Sequence, residues 1–215
     1  LLAPSGGGKT ANRRLLELTL RRHQRNVNQH GSQLPKVPFV ITYNNFETLA
    51  SLTQPIGLQD HYKPLVKVIV DEFLNFINSY PTQFMQIDQR ERDWWWGLLE
   101  LDRGQSVYHS LKADSLIGDW QRNGQKIPPF SSDNPLIDAL NKIQYRLANI
   151  GFNKLYILVD GIDGVVEPTS ISNMEALVKP LLNTDELFSR SGRIWKFFLP
   201  DSLLTILQRS RAYSS

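Results

Sequence analysis

The chain has 215 residues, 41% hydrophobic and 21% charged, which is enough apolar mass for one α/β domain with a sizeable core. No run of about eighteen apolar residues is present, which excludes a transmembrane helix, and the lack of cysteine excludes disulfides and thiolate metal sites. The net charge is only +3, and the calculated pI of 9.1 overstates the basicity, so charge alone does not point to nucleic acid.

No signal peptide is legible, and the composition fits a cytoplasmic protein with no membrane partner. The chain opens at Leu1 inside what reads as its first core strand and stops at Tyr213-Ser214-Ser215 directly after a helix. A fragment of a longer polypeptide is expected: one domain over 1–215, incomplete at the termini, with a helical insertion at about 46–133.

In chain order, Leu1-Leu2-Ala3 reads as the end of a buried strand, Pro4 to Gly8 as a glycine-rich loop, and Lys9-Thr10 as the opening of a helix. From Ala11 to about Val27 that helix has Leu15, Leu16, Leu18 and Leu20 as its apolar face, while Arg13, Arg14, Arg21, Arg22 and Arg25 form a basic, solvated face. The stretch from Asn26 to Pro35 is a polar loop. Val37 to Tyr43 is the second strand, and Asn44 after it reads as a turn residue, although ligands gather at such strand ends.

The insertion begins with a helix over Pro64 to Tyr80, where Val66, Ile69, Val70, Phe73, Phe76 and Ile77 share one broad face and Pro81 stops it. A helix over Ile87 to Asp102 carries Trp94-Trp95-Trp96, too wide a set for one packing face. One or two should dock on the core, leaving the third for solvent, a partner subunit or base stacking. A short helix over Val107 to Gln121 and a loop from Asn123-Gly124 to Pro128-Pro129 complete the insertion.

Asn134 as N-cap and Pro135 at the first position open a helix with the stripe Leu136, Leu140, Ile143, Leu147 and Ile150, closed by Gly151. Leu155 to Val159 is a continuous apolar strand ending at Asp160, and Gly161 to Gly164 is loop. Ser172-Asn173-Met174-Glu175 reads as a capping box opening a helix to about Leu182, which Pro180 shortens or kinks. Arg193 to Leu199 is the next strand and Leu203 to Arg211 the last helix. This alternation implies a three-layer α/β fold: a parallel sheet with right-handed crossovers and helices on both faces.

Two stretches carry chemistry. Ala3 to Thr10 follows the pattern G-x-x-x-x-G-K-[ST], with Ala3 in place of the first glycine. Backbone N–H groups of Ser5, Gly6, Gly7, Gly8 and Lys9 can curl around an oxyanion at the positive end of the following helix. Lys9 would neutralise β- and γ-phosphates and the Thr10 hydroxyl would coordinate Mg²⁺. The same residues also suit an ordinary glycine-rich turn before a basic helix. The second stretch is the apolar run ending at Asp160, a Walker B arrangement in which the carboxylate holds Mg²⁺; a buried strand that happens to end at a turn aspartate reads the same way.

With Gly6-Gly7-Gly8-Lys9-Thr10 and Leu158-Val159-Asp160-Gly161-Ile162-Asp163 together, the chain resembles the AAA+-like P-loop NTPases, and within them the STAND and NACHT branch. The resemblance spans most of the chain in element order and rests on about fifteen residues. It implies that the first strand lies beside the fourth and the fourth beside the Walker B strand. It makes Asp160 the Mg²⁺ residue and Asp163 the group that orients the attacking water, with Glu167 the other acid that could serve because Gly164 stands where a second acidic residue often sits. Asp201 or Ser202 is the nearest match to a sensor residue. The fifth strand and the helical lid of the family are missing, and Arg209 and Arg211 read as a solvated helix end rather than arginine fingers.

The expected function is binding of ATP or GTP with Mg²⁺ and slow hydrolysis as a regulatory switch. The alternative is a catalytically weak nucleotide-binding scaffold whose Trp-rich insertion docks a protein partner or a second copy. A small-molecule kinase would need an arginine-rich lid, which is not evident. A nucleic-acid-dependent motor has no support in the charge.

Overall fold

Along the two longest strands, successive residues belong to different layers, which is what period-two geometry demands of a sheet covered on both sides. The computed structural model describes residues 2–3, 7–27, 37–52, 55–123, 135–164 and 170–209. The strands are β1 (Leu2–Ala3), β2 (Val37–Tyr43), β3 (Phe152–Val159), β4 (Arg193–Phe197) and β5 (Leu199–Pro200). Phe39, Ile41 and Tyr43 of β2 and Leu155, Ile157 and Val159 of β3 enter the main core. Val40 and Leu158, between them, enter a second cluster with Phe198, against which Leu16 and Leu20 pack.

All pairings are parallel. β3 lies between β2 and β4, with Ile41 opposite Ile157 and Ile157 opposite Trp195. β1 pairs with β5, Leu2 opposite Leu199 and Ala3 opposite Pro200. The strand expected over Arg193 to Leu199 is interrupted at Phe198, whose N–H still donates to Val159 O at 2.9 Å. β5 follows β4 after that single residue, and the described strands form two parallel sheets, β2-β3-β4 and β1-β5. Every strand points its C-terminal end toward the same edge.

The helices are α1 (Lys9–Val27), α2 (Glu47–Ala50), α3 (Tyr62–Ser79), α4 (Pro81–Met85), α5 (Gln89–Arg103), α6 (Ser106–Ser110), α7 (Asp114–Asn123), α8 (Pro135–Asn149), α9 (Ile171–Leu182) and α10 (Leu204–Arg209). α1 covers one face of the sheet, while α3 and α8 pack on the other. Among the described residues no helix is long and apolar enough to cross a membrane.

Several expectations need correction. The insertion buries all three tryptophans, because α5 is packed on more than one side. Trp95 stacks on Phe73 of α3 with ring centres 3.7 Å apart, Trp96 meets Phe84 of α4 edge-on, and the Arg146 guanidinium of α8 lies 5.4 Å above Trp94. The helix expected over Val107 to Gln121 is two, α6 and α7, parted at Leu111 to Ala113. The capping box at Ser172 is absent: α9 starts at Ile171 after Ser170, and Glu175 instead pairs with Lys179 at 3.2 Å. Pro180 sits inside α9 without ending it. The expected N-cap Asn134 lies outside the described residues.

The face assigned to α1 is also wrong. Leu15 and Leu18 are 65% and 55% exposed, and Leu16 and Leu20 supply the apolar packing among its described side chains. Arg13 is buried, and Arg21 turns toward Glu72 of α3 rather than into solvent. Four leucines in six residues span too wide an arc for one helix stripe, and the sheet takes the two that share a face with the arginines.

Candidate functional site

The parallel order brings the loop before α1 and the segment after β3 to one edge. Gly7, Gly8, Lys9 and Thr10 are described, whereas Ser5 and Gly6 lie outside the described residues, as does Glu167. Gly8 has φ +77°, a left-handed conformation that side-chain-bearing residues disfavour, and its carbonyl accepts the first turn's bond from Asn12 N–H at 2.9 Å. Lys9 is the first residue of α1 and is buried, while Thr10 is exposed.

On the other side, β3 delivers Asp160 in a fixed position. Its backbone N–H donates to Tyr43 O at 3.2 Å, extending the β2–β3 ladder by one bond. Gly161 then leaves the sheet at φ +80°, passing Asn44 closely enough that an added Cβ would sit 3.6 Å from the Asn44 Cβ. Ile162–Gly164 forms a single 3-10 turn that carries Asp163 back toward the helix.

The two cations at the start of α1 each meet one of these acids. Lys9 Nζ lies 3.2 Å from Asp163 Oδ2. Arg13 Nε donates to Asp160 Oδ2 at 2.9 Å, a contact in which the side chains keep 9% and 5% of their exposure. Asp160 Oδ1 is buried and has no hydrogen-bond partner. Asn44, Asp201 and Ser202 are exposed at the same edge, beyond the ends of β2 and β5. Arg209 is exposed on α10, and Arg211 lies outside the described residues.

Arg13 is the residue the sequence reading missed. It is steadied by Glu17, which it contacts, and by Thr42 Oγ1 at 3.2 Å, whose hydroxyl in turn donates to Glu17 at 3.2 Å. Glu17 also accepts from Arg21 Nε at 3.0 Å, and Arg21 reaches Glu72. The signal was present: Lys9, Arg13, Glu17 and Arg21 recur every four residues and so share one helix face. A count of arginines hid it, because an acid placed among the bases of that face, Glu17, marks a paired surface rather than a solvated one.

Chemically, the arrangement offers a buried ammonium and a positive-φ glycine at a helix N-terminus, with a buried carboxylate and a half-buried one across from them. Among the described residues no three His, Cys, Asp or Glu side chains converge as a metal cluster. What fold and site define is an α/β protein whose parallel sheet gathers these four charged side chains at its C-terminal edge. No protein-family model, curated protein or solved structure matches the chain.

Proposed function

We propose that the chain is a P-loop NTPase-type domain that binds ATP or GTP with Mg²⁺ and hydrolyses it slowly as a switch. The observation that carries this reading is the meeting of Lys9 with Asp163, and of α1 with Asp160, at the C-terminal edge of a parallel sheet. The strand order gives further support, since β1 lies beside β5 and β3 beside β4, the two pieces of the strand expected over Arg193 to Leu199, as the resemblance requires. In this reading Gly7 and Gly8, with Ser5 and Gly6 before them, cradle phosphate oxygens, and Lys9 neutralises them. Asp163 orients the attacking water.

The residues also suit a divalent cation. The orphaned Asp160 Oδ1 is a buried acceptor of the kind that an ion's bound water satisfies, and a desolvated oxygen without a partner is otherwise costly. Thr10 and Asp160 would hold Mg²⁺, which supplies charge neutralisation at the β- and γ-phosphates when bound.

Calorimetric titration of Mg-ATP and Mg-GTP, with Lys9→Ala as control, tests the proposal. Binding that the substitution abolishes supports it, and absence of binding by the wild-type chain sinks it.

A second reading is favoured by one observation. Arg13 occupies the Asp160 carboxylate, and Gly164 stands where a second acid is expected, so the domain could bind nucleotide without turning it over. In that scaffold reading a partner or second copy docks on the outer surface of the insertion, since its tryptophans are committed to the core. Phosphate release by wild type against Asp163→Asn separates the two: turnover lost in the variant favours the switch, and none in either favours the scaffold.

A further inference from the structure

We propose that Arg13 takes over part of the divalent cation's role at Asp160, so that nucleotide binding by this chain depends only weakly on Mg²⁺. The inference rests on the nucleotide-site reading above and deepens it by naming the residue that sets the metal requirement.

The argument starts from charge. A carboxylate that holds the water shell of Mg²⁺ must present its negative charge to the ion. Here that charge is already met by a guanidinium: Arg13 Nε is 2.9 Å from Asp160 Oδ2, and both side chains are buried, so water screens the contact little. A guanidinium keeps its proton at any pH the protein would meet, so this positive charge is permanent.

The position of Arg13 is also over-determined. Glu17 and Thr42 hold it from the α1 and β2 sides, and Glu17 is itself fixed by Arg21, which is tied to Glu72 of α3. The result is a line of alternating charges, Asp160, Arg13, Glu17, Arg21 and Glu72, running under α1 from the site toward the insertion. Moving Arg13 aside for an incoming cation would disturb every bond in that line. A loosely tethered arginine could yield its place; one fastened at three points is built to stay.

The other oxygen of the carboxylate, Oδ1, is buried without a hydrogen-bond partner, an acceptor that a water or a weakly held ion would satisfy. Arg13 also lies one turn beyond Lys9 on the same helix face, and its charge is spent on Asp160 and Glu17, so the acid of the site is neutralised without a dication. The charge that a dication would bring to Asp160 is thereby supplied by the protein. The consequence is slow turnover, because Arg13 is held by Asp160, Glu17 and Thr42, whereas a bound ion would be free to neutralise charge that develops on the phosphates. Weak metal dependence of binding and slow hydrolysis therefore have the same cause.

The test is calorimetric titration of ATP into the whole chain with excess MgCl₂ and with excess EDTA, for wild type, Arg13→Gln and Arg13→Lys. Wild type is expected to change affinity by less than about threefold between the two media, and Arg13→Gln by more than about tenfold. Arg13→Lys, which keeps the charge, is expected to stay close to wild type, and circular dichroism confirms that each variant is folded. A wild-type chain that loses more than about tenfold in EDTA overturns the proposal on its own, whether or not Arg13→Gln folds. So does a folded Arg13→Gln that responds to EDTA as weakly as wild type. No ATP binding by wild type in either medium overturns the nucleotide reading itself, and this inference with it.

Discussion

Arg13 and Asp160 stand 147 residues apart in the sequence and meet at 2.9 Å in the buried floor of the site. Removing one partner of such a pair strands the other charge, at a cost of about 3–5 kcal/mol. The two partners are not equivalent, because Arg13 also reaches Glu17 and Thr42, so it keeps acceptors when Asp160 is removed. Arg13→Met is therefore expected to lower the unfolding free energy by about 3 kcal/mol, and Asp160→Asn by about 1 kcal/mol. Urea denaturation with an unchanged slope measures both. Equal losses would mean that Glu17 and Thr42 do not share the guanidinium.

Asp163 competes for Lys9 with whatever anion the loop takes up. Their contact is 3.2 Å, with Lys9 buried and Asp163 half-buried, so an incoming phosphate must draw the ammonium away from a carboxylate. Asp163→Asn removes the competitor and should tighten nucleotide binding about threefold, while slowing hydrolysis by at least about tenfold if Asp163 orients water. Titration and phosphate release, read together, give the split. Weaker binding in the variant would show that Asp163 organises the loop rather than competing for Lys9.

The sheet was legible in the sequence and the surface of α1 was not. β2 matched its expected bounds of Val37 and Tyr43, and the buried run ending at Val159 was clear, because continuous apolar residues leave little choice. The pairing of Arg13 with Asp160 was hidden because it joins two distant segments through charge, and charge carries no periodic apolar signal. The tryptophans misled for the opposite reason. Their spread around α5 looked like exposure, when α3, α4 and α8 cover different arcs of the same helix. The position of β1 beside β5 could not be read from either strand alone, because the pairing of Leu2 with Leu199 joins opposite ends of the chain.

His61 makes stability depend on pH. It is fully buried, its Nδ1 lies 2.9 Å from the Tyr43 hydroxyl, and burial pushes its imidazole down to about 4 against the opposing effects of Asp60 and the Leu177 backbone. Between the unfolded value near 6.5 and about 4, the unfolded chain binds the proton that the folded chain refuses. Stability is therefore full above about pH 6.5, declines as pH falls, and reaches its floor below about 4, a loss of about 3 kcal/mol in total. Urea midpoints from pH 8 to 4 should fall in wild type and fall less in His61→Gln. Parallel curves for the two would show that other groups carry the acid sensitivity.

Asp119 tests whether the insertion is a core in its own right. Its buried carboxylate accepts from Trp96 Nε1 at 2.8 Å, Arg92 Nε at 3.0 Å and Asn123 Nδ2 at 3.1 Å, tying α5 to α7. Asp119→Ala leaves the Trp96 indole N–H without its acceptor and takes one of several partners from the half-buried Arg92, and should cost about 1–3 kcal/mol. Asp119→Asn keeps an oxygen for one donor and should cost about half as much. Thermal unfolding gives the order of the three proteins, and near-ultraviolet circular dichroism reports on the tryptophans directly. If α5 and α7 depend on Asp119 for their packing, the aromatic signal of Asp119→Ala weakens before the far-ultraviolet signal of the sheet does. Coincident loss of both would mean that the insertion and the sheet unfold as one unit, and an unchanged aromatic signal would mean that stacking of Trp95 on Phe73 holds α5 without the carboxylate.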